Sequence, residues 1–264
     1  MTKRGCAVLA TNKSTAQRVL DEPSFVLHHY DWSESSLILE VFTRHLGRVA
    51  LVAKGAKRPT SQLRAVLLPL QPILISFGGE GEIRTLKSAE WAGGHVMPTG
   101  DALLSGYYLN ELLLRLLARD DPHTTLFDIY RQTVKVLASG LDNTTAPLLR
   151  AFELMLMQNL GFLPDLSLQT LTLQAVLGEK NYVLLPEAGL STSQQSPCLK
   201  GAQWLQLRTA LESAEPLTSL LRVCAEWPGE ERAALQTQLR HLLHYHCGIS
   251  SLRTRQVMME LQAL

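Results

Sequence analysis

The sequence holds few residues whose types and spacing suit catalysis, and the first group consists of Asp120, Asp121 and His123. Two carboxylates and an imidazole within four residues are able to bind a metal ion or to carry out acid–base chemistry. Pro122 lies inside the group, however, and the surrounding pattern predicts a break between two helices at this point. We therefore favour a role in ending one helix and capping the next over a catalytic role.

A second group, His241, His244, His246 and Cys247, lies near the end of a predicted leucine-rich helix. His241 and His244 share a face and are spaced so that they could hold one metal ion. No second ligand cluster lies elsewhere in the sequence, so positions in the core or at the helix end are favoured. The chain also lacks the GxSxG and GxxxxGK[ST] sequences. The sequence thus predicts no enzyme activity, no bound metal and no cofactor.

The strongest charge signal is the window from Arg44 to Arg64, which contains six cations and no aspartate or glutamate. Because phosphate binding releases condensed counterions, such a window favours a nucleic-acid partner over a merely solvated loop. Two cations on the next predicted strand extend the set. Tyr30, Trp32 and Phe42 offer rings for base stacking, although Phe42 alone is more typical of a core residue. The residues predicted to bind DNA are Arg44, Arg48, Lys54, Lys57, Arg58, Arg64, Arg84 and Lys87.

The composition indicates a folded protein. Of the 264 residues, 46% are hydrophobic and 19% are charged, which is enough apolar material for a core. The formal net charge is +1, so a nucleic-acid site must come from local clustering of charge. The four cysteines show no CxxC pair, unlike a disulfide scaffold or a zinc ribbon. No apolar run reaches the roughly 18 residues of a membrane span. We expect neither a signal peptide nor a membrane partner, and the expected location is the cytoplasm.

Five segments rich in branched and aromatic residues, separated by turn signals, predict strands in the first third of the chain. Their approximate ranges are 25–30, 35–43, 48–53, 67–77 and 82–91, and Pro69 and Pro72 mark the fourth as an edge or a kinked strand. Five short strands at this spacing are typical of an OB-fold barrel.

After residue 98 the apolar residues recur at intervals of three and four, which predicts helices. The fold class is therefore α+β, with an N-terminal five-stranded OB-fold barrel followed by an α-helical domain. We predict a flexible tail at 1–17, a DNA-binding barrel at 18–97 and a helical domain at 98–264. The helical domain includes a small mixed insert at about 161–200.

Several long segments resemble the bacterial RecO family of recombination mediators. The first is FVLHHYDWSESSLILEVFTRHLGRVALVAKGAKR at 25–58, and the second is LLPLQPILISFGGEGEIRTLKSAEW at 67–91. Three shorter segments follow in the family's order: YYLNELLLRLL at 107–117, LLRAFELMLMQNLGF at 148–162 and HCGISSLRTRQ at 246–256. The resemblance covers about residues 17–262.

This resemblance implies the same fold and a non-enzymatic role in the RecF pathway of DNA repair. Proteins of this family bind single- and double-stranded DNA and anneal complementary strands coated by the single-strand binding protein SSB. With the partner RecR they help RecA to displace SSB. Annealing requires a cationic surface that screens phosphate repulsion while the bases remain free to pair. The resemblance thus implies DNA, RecR and SSB as partners, RecA as a functional partner, and association with the nucleoid.

The insert departs from the family pattern. Many members carry a four-cysteine zinc site after the segment that matches Gly161–Pro164, whereas the sequence here is DLSLQTLTLQAVLGEKNY and contains no cysteine. We therefore predict a cysteine-free, zinc-finger-like insert without zinc, held by packing around Tyr182 and Leu184.

The resemblance also implies that the helical domain binds the acidic, hydrophobic C-terminal tail of SSB. Such a tail needs an apolar groove with a cation for its carboxylates. Arg150 is the first candidate and Arg131 the second, although an ion pair of Arg150 with Glu153 is an equal alternative for that residue. Arg253 and Arg255 are interpreted either as an extension of the DNA path or as caps of the last helix.

The sequence is also compatible with two other functions. One is an RNA-binding OB-fold protein, which a preference for structured RNA would indicate. The other is a metal-dependent hydrolase built on the D-D-x-H group, which bound metal and an inactive Asp121→Ala variant would indicate.

Overall fold

A computed structural model describes residues 18–94, 96–140 and 143–262, and the predicted tail at 1–17 lies outside these residues. The first part is a closed barrel in which β1 pairs with β2 and β4, and β3 pairs in parallel with β5. The order β1-β2-β3-β5-β4 is that of the predicted OB-fold barrel, which is therefore confirmed. Its elements are β1 (Arg18–Asp31), β2 (Leu37–Thr43), β3 (Gly47–Ala53), α1 (Leu63–Val66), β4 (Pro72–Gly78) and β5 (Ile83–Trp91).

Side chains of the barrel strands alternate between two hydrophobic cores. Val26 on β1 and Val41 on β2 point into the barrel, whereas Phe25, Leu27 and Phe42 point towards the helices. This follows from the strand geometry, because successive side chains lie on opposite faces. The ring of Phe25 lies 5.5 Å from Phe127 and 5.0 Å from Tyr130, measured between ring centroids. The barrel is thus packed against the helical domain through its own strands.

The helical domain begins with three helices and ends with four more. The first three, α2 (Gly100–Leu116), α3 (Thr124–Ala138) and α4 (Thr145–Asn159), pack against one another, and α2 and α3 also pack against the barrel. The others are α5 (Gly201–Leu211), α6 (Pro216–Glu226), α7 (Gly229–Cys247) and α8 (Arg253–Gln262). No helix within 18–94, 96–140 and 143–262 has the length and apolar character that crossing a membrane requires.

The insert forms a small three-stranded sheet in the order β7-β6-β8, made of β6 (Asn181–Leu185), β7 (Gly189–Thr192) and β8 (Leu199–Lys200). Tyr182 and Leu184 are buried in the core shared with the helices, as the sequence suggested. The Tyr182 hydroxyl accepts the Leu177 N–H at 2.9 Å, and Gln238 of α7 accepts the Leu184 N–H at 2.6 Å. The likeness of this insert to a zinc finger stays a prediction.

The predicted strand at 67–77 is wrong in its first half. Residues 63–66 form α1, and Leu70 has a φ of +65° before β4 begins at Pro72. A leucine with positive φ is uncommon and is incompatible with a strand, and its side chain is fully buried, which holds it in place. The boundaries of the two domains remain a prediction.

Candidate functional site

The eight cations predicted to bind DNA comprise a first group held by carboxylates outside the window from Arg44 to Arg64, a second group that is exposed, and Lys57, which is intermediate. Arg44 makes a two-pronged contact with Asp128, with Nε 3.1 Å from Oδ1 and Nη2 2.8 Å from Oδ2. This contact is the main cause of a lowered pKa of Asp128. Arg84 lies 2.7 Å from the carboxylate of Asp120.

Arg48 belongs to the same group, because it contacts the buried carboxylate of Glu40. Nη1 of Arg48 lies 3.2 Å from Oε2 of Glu40, and Arg119 donates to the other oxygen of the same carboxylate. A buried carboxylate requires such compensation, since an uncompensated one is costly. Arg48 therefore stabilises the barrel, and its charge is not free to neutralise a phosphate.

The second group points into solvent. The side chains of Lys54, Arg58, Arg64 and Lys87 are exposed, and within the described chain none of them is seen in an ion pair. Lys57 is intermediate: its Nζ lies 3.2 Å from Asp31 and donates to the Ser33 carbonyl at 3.1 Å. We call Lys54, Lys57, Arg58 and Arg64 the basic loop.

The window from Arg44 to Arg64 contains no carboxylate in its sequence. In the folded protein, however, carboxylates from outside the window neutralise part of its charge, so the interpretation of the window as uncompensated is wrong. The carboxylates of Asp31, Glu40 and Asp128 lie outside the window and reach into it. Ion pairs across up to 84 residues carry no local sequence signal. Exposed cations without an ion pair are available to a ligand, whereas cations that pair with carboxylates stabilise the fold.

The aromatic residues near the basic loop also separate by exposure. Phe42 is fully buried against Phe127, as expected of a core residue, and cannot stack on a base. Tyr30 and Trp32 are 50% and 64% exposed. Large rings with this much exposure next to a cationic loop are suited to stacking on unpaired bases.

The acidic and histidine groups have structural contacts. Asp120 pairs with Arg84, and Asp121 lies 3.3 Å from Nε2 of His123. His246 stacks on Phe162 with centroids 4.0 Å apart, and His241 is exposed. Across the three described ranges, no three His, Cys, Asp or Glu residues are grouped as a metal site would require.

Arg150 lines a pocket between α4, α7 and the start of α8, which we call the arginine pocket. Its volume is about 230 Å³. Leu149, Leu243 and Leu252 supply apolar wall, and three guanidinium groups face the space. The full lining is Tyr108, Leu149, Arg150, Glu153, Gln236, Arg240, Leu243, His244, Leu252 and Arg255.

The floor of the arginine pocket is a buried polar cluster. Glu153 is 1% exposed, accepts the Tyr108 hydroxyl at 2.7 Å and pairs with Arg150. Burial raises the pKa of Glu153, and the Arg150 charge acts in the opposite direction. Arg150 thus forms the ion pair that the sequence suggested as an alternative, and it also lines a pocket.

Three side-chain nitrogen atoms around the pocket are buried without a hydrogen-bond partner in the part of the chain that the structure describes. They are Nε of Arg150, Nε of Arg240 and Nε2 of His244. Burial and the neighbouring Arg240 lower the pKa of His244, and burial and Arg255 lower the pKa of Arg240. Three arginines and one carboxylate line the pocket, and this net positive charge suits a carboxylate ligand. Sequence reasoning missed Arg240 and Tyr108, which only the packing of α2, α4 and α7 brings to the pocket.

Arg131 does not lie in the arginine pocket. It is exposed on α3, and its charge helps to lower the pKa of Asp128 on the same helix. Of the two residues predicted to bind the SSB tail, Arg150 therefore lines the arginine pocket and Arg131 lies outside it.

Comparisons with known proteins agree with the fold. Residues 19–95 match the family model described as "Recombination protein O N terminal", and residues 97–256 match "Recombination protein O C terminal". A protein named DNA repair protein RecO from Variovorax paradoxus (strain S110) is 59% identical over 256 residues, covering 95% of this chain and 100% of the relative. One of the same name from Albidiferax ferrireducens is 58% identical, covering 94% and 98%. Two family models in sequence order and relatives of equal length leave one conclusion: the chain belongs to the recombination protein O (RecO) family.

Proposed function

We propose that the protein is a non-enzymatic recombination mediator that binds single- and double-stranded DNA through its basic loop and anneals complementary strands. Membership of the RecO family indicates a role in DNA repair. The observation that carries the finer proposal is the group of exposed cations at Lys54, Arg58 and Arg64, which are available to phosphates. Lys87 is exposed on β5 and belongs to the same proposal.

The proposal assigns different roles to the two groups of cations. Arg44, Arg48 and Arg84 position the barrel, because each is paired with a carboxylate. Lys54, Arg58 and Arg64 of the basic loop supply charge that no ion pair within the described chain neutralises. Phosphate contacts of this kind are independent of sequence and are released by salt. An annealing protein needs such contacts, because it must bind two different strands without recognising the base sequence of either.

The arginine pocket is proposed to hold the C-terminal tail of SSB. Its leucine walls suit the apolar side chains of such a tail, and Arg150, Arg240 and Arg255 suit its carboxylates. A groove of about 980 Å³ continues from the pocket past Leu149, Arg150 and Gln236 to Arg232, which gives room for an extended peptide. Arg131 is not part of the proposed tail site, because it lies outside the pocket.

With DNA and coated strands held on one molecule, RecR would join to promote loading of RecA, and the protein would associate with the nucleoid. These parts of the proposal rest on family membership alone.

The DNA proposal is tested by charge reversal in the basic loop. We expect Lys54→Glu with Arg58→Glu to weaken binding of single strands of any sequence and to reduce the salt slope by about 0.7 per lost phosphate contact. Fluorescence anisotropy at several salt concentrations measures both. Arg222→Glu is the matched control, since Arg222 is exposed on α6, far along the chain from the barrel. An unchanged slope in the double variant would show that the barrel is not the DNA site. Tighter binding of structured RNA by the unaltered protein would favour the RNA function.

The tail proposal is tested by annealing strands precoated with SSB, without ATP or metal. Arg255→Ala is the variant of choice, because Arg150→Ala would leave the buried carboxylate of Glu153 without its ion pair. We expect about tenfold weaker binding of the tail peptide and slow annealing of coated strands, with normal annealing of naked strands. Arg222→Ala is the control. Equal loss on naked and coated strands would refute the assignment of the pocket.

A further inference from the structure

The end of β1 carries an exposed row of rings at the junction between the barrel and the helical domain. The rings of His28 and Tyr30 meet edge to face with centroids 4.6 Å apart, and Trp32 follows in the turn after the strand. Because Tyr30 and Trp32 are exposed to water, the protein does not gain the free energy that burial of their apolar surface would contribute. Both side chains are at least half exposed, so part of each ring is accessible to a flat partner.

Directly beside these rings lies a cleft of about 460 Å³, which we call the junction cleft. One wall is β1, with Leu27, His28 and Tyr30, and the other is α2, with Leu104, Tyr107 and Leu114. The first turn of α8 closes one end with Arg253, Thr254 and Val257. The lining is mostly apolar, and the volume is large enough for a nucleobase with part of its sugar.

The charges at the edge of the junction cleft favour an anionic chain. Arg115 and Arg253 are exposed there. The one carboxylate in the lining, Glu111, is already engaged: it accepts the backbone N–H of Arg253 at 3.0 Å and of Thr254 at 2.9 Å, and it pairs with Arg115. Arg115 is therefore paired with the carboxylate of Glu111, and Arg253 supplies the positive charge that exceeds it in the lining.

The turn that follows β1 connects the strand end at the junction cleft to the basic loop. The backbone N–H of Lys57 donates to the Ser35 carbonyl at 3.0 Å, and its Nζ reaches Ser33 and Asp31. Those residues belong to the turn that carries Trp32. A strand whose phosphates lie on the basic loop therefore meets Trp32, then Tyr30, then the cleft.

We propose that the junction cleft receives one unpaired base of single-stranded DNA, stacked against Tyr30, while Arg253 faces a neighbouring phosphate. The inference rests on the proposed DNA-binding function and adds a place where the protein distinguishes single strands from duplex. A base inside a duplex is stacked and paired and cannot enter the cleft. Aromatic faces, a slot of this size and flanking guanidinium groups together match a nucleotide better than an apolar peptide.

The test compares single-stranded oligothymidine with a blunt duplex of the same length. Tyr30→Leu keeps apolar bulk and removes the ring; we expect roughly 5- to 100-fold weaker binding of the single strand, the effect of losing one stacked base, with unchanged duplex binding. Tyr245→Leu is the matched control, because Tyr245 is 52% exposed on α7 and does not line the cleft. Thermal unfolding of both variants verifies that they are folded.

Two further measurements bear on the same inference. A strand with one abasic position in the contacted stretch should bind the unaltered protein more weakly and lose its sensitivity to Tyr30→Leu. Single-stranded DNA should quench the fluorescence of Trp32, which Trp32→Phe identifies among the four tryptophans, and duplex should not.

Equal losses on single strand and duplex, or no loss on either, would overturn the cleft as a base site. In that case charge reversal in the basic loop still reports on the proposed function, since it alters duplex and single-strand binding alike. Absence of DNA binding by the unaltered protein would overturn both.

Discussion

Single residues of the barrel divide into those that fasten the fold and those that face a ligand, and exposure decides which role each has. Arg48 and Lys54 lie six positions apart on one strand and its following loop, yet Arg48 compensates the buried Glu40 while Lys54 points into solvent. A surface cation that makes no fold contact contributes little to stability. Its charge is then available to a phosphate.

We expect the two residues to respond in opposite ways to alanine. Arg48→Ala should lower the free energy of unfolding by about 1–3 kcal/mol, because it removes a charged hydrogen bond from a buried carboxylate. Lys54→Ala should leave stability unchanged and weaken DNA binding. Urea denaturation and anisotropy titrations measure these effects. A destabilised Lys54→Ala, or an Arg48→Ala of unchanged stability, would contradict the division of roles.

Among the elements, α8 is fastened by a cap from a distant part of the chain. Glu111 of α2 accepts the first N–H groups of α8 and the Thr254 hydroxyl at 2.7 Å, which satisfies donors that the helix itself leaves unpaired. Burial alone would raise the pKa of Glu111, but the hydrogen bonds from Thr254 and Arg253 outweigh burial and hold the pKa below its ordinary value.

This cap should make the docking of α8 depend on pH. Because the pKa of Glu111 is lowered in the folded protein, its stabilisation is complete above the ordinary value of 4.5 and is lost as the pH falls through the lowered value. Glu111→Gln keeps one acceptor oxygen and has no charge to titrate. The stability difference between the unaltered protein and this variant should be constant near neutral pH and shrink in acid, as measured by urea unfolding. A difference that is independent of pH would contradict the assignment.

The insert shows a sheet held by side-chain packing where the family pattern suggests cysteines. Tyr182→Ala should destabilise the protein by about 3–5 kcal/mol, because it empties a fully buried position. Tyr182→Phe, which loses only the hydrogen bond to Leu177, should cost about 1 kcal/mol. A chelator should leave the melting temperature unchanged. A clear drop on chelation would show that a metal holds the insert.

The sequence was sufficient for most elements and insufficient for the site. The OB-fold barrel was predictable because its alternating residues and turn signals are local, and the helices after residue 98 were predictable from apolar residues at intervals of three and four. The fourth strand was misjudged because burial of Leu70 stabilises a backbone conformation that its residue type disfavours. The carboxylates that neutralise half of the window lie outside it, and the junction cleft combines residues from 27 to 257. Neither arrangement leaves a local pattern.

At the scale of the whole molecule, the barrel and the helical domain are joined by many specific contacts. Asn110 of α2 donates to the Leu27 carbonyl at 3.0 Å and accepts the Tyr130 hydroxyl at 2.6 Å, all in the buried interface. Gly47 has a φ of +71°, and a Cβ added there would lie 1.9 Å from the carbonyl oxygen of Asp121. The two halves are therefore fitted to each other at the level of the backbone.

Gly47→Ala tests this fit. We expect a loss of more than about 2 kcal/mol in the free energy of unfolding, since a backbone clash adds to the strain of positive φ. Gly55→Ala is a close control: Gly55 has the same φ of +71°, but its nearest neighbour is the Arg58 side chain at 3.8 Å. It should lose only about 1–2 kcal/mol. Equal losses of stability in the two variants would mean that the backbone at Asp121 moves away from the added methyl group at no cost in free energy.

The position of α8 between two candidate sites has a thermodynamic consequence. Arg253 and Thr254 line the junction cleft, whereas Arg255 and the preceding Leu252 line the arginine pocket, so one helical turn is a wall of both. Any shift of that turn by one ligand changes the free energy of binding the other, and such a coupling is reciprocal. The factor by which single-stranded DNA alters the affinity for the SSB tail must equal the factor by which the tail alters the affinity for DNA. Calorimetric titrations in both orders would measure it.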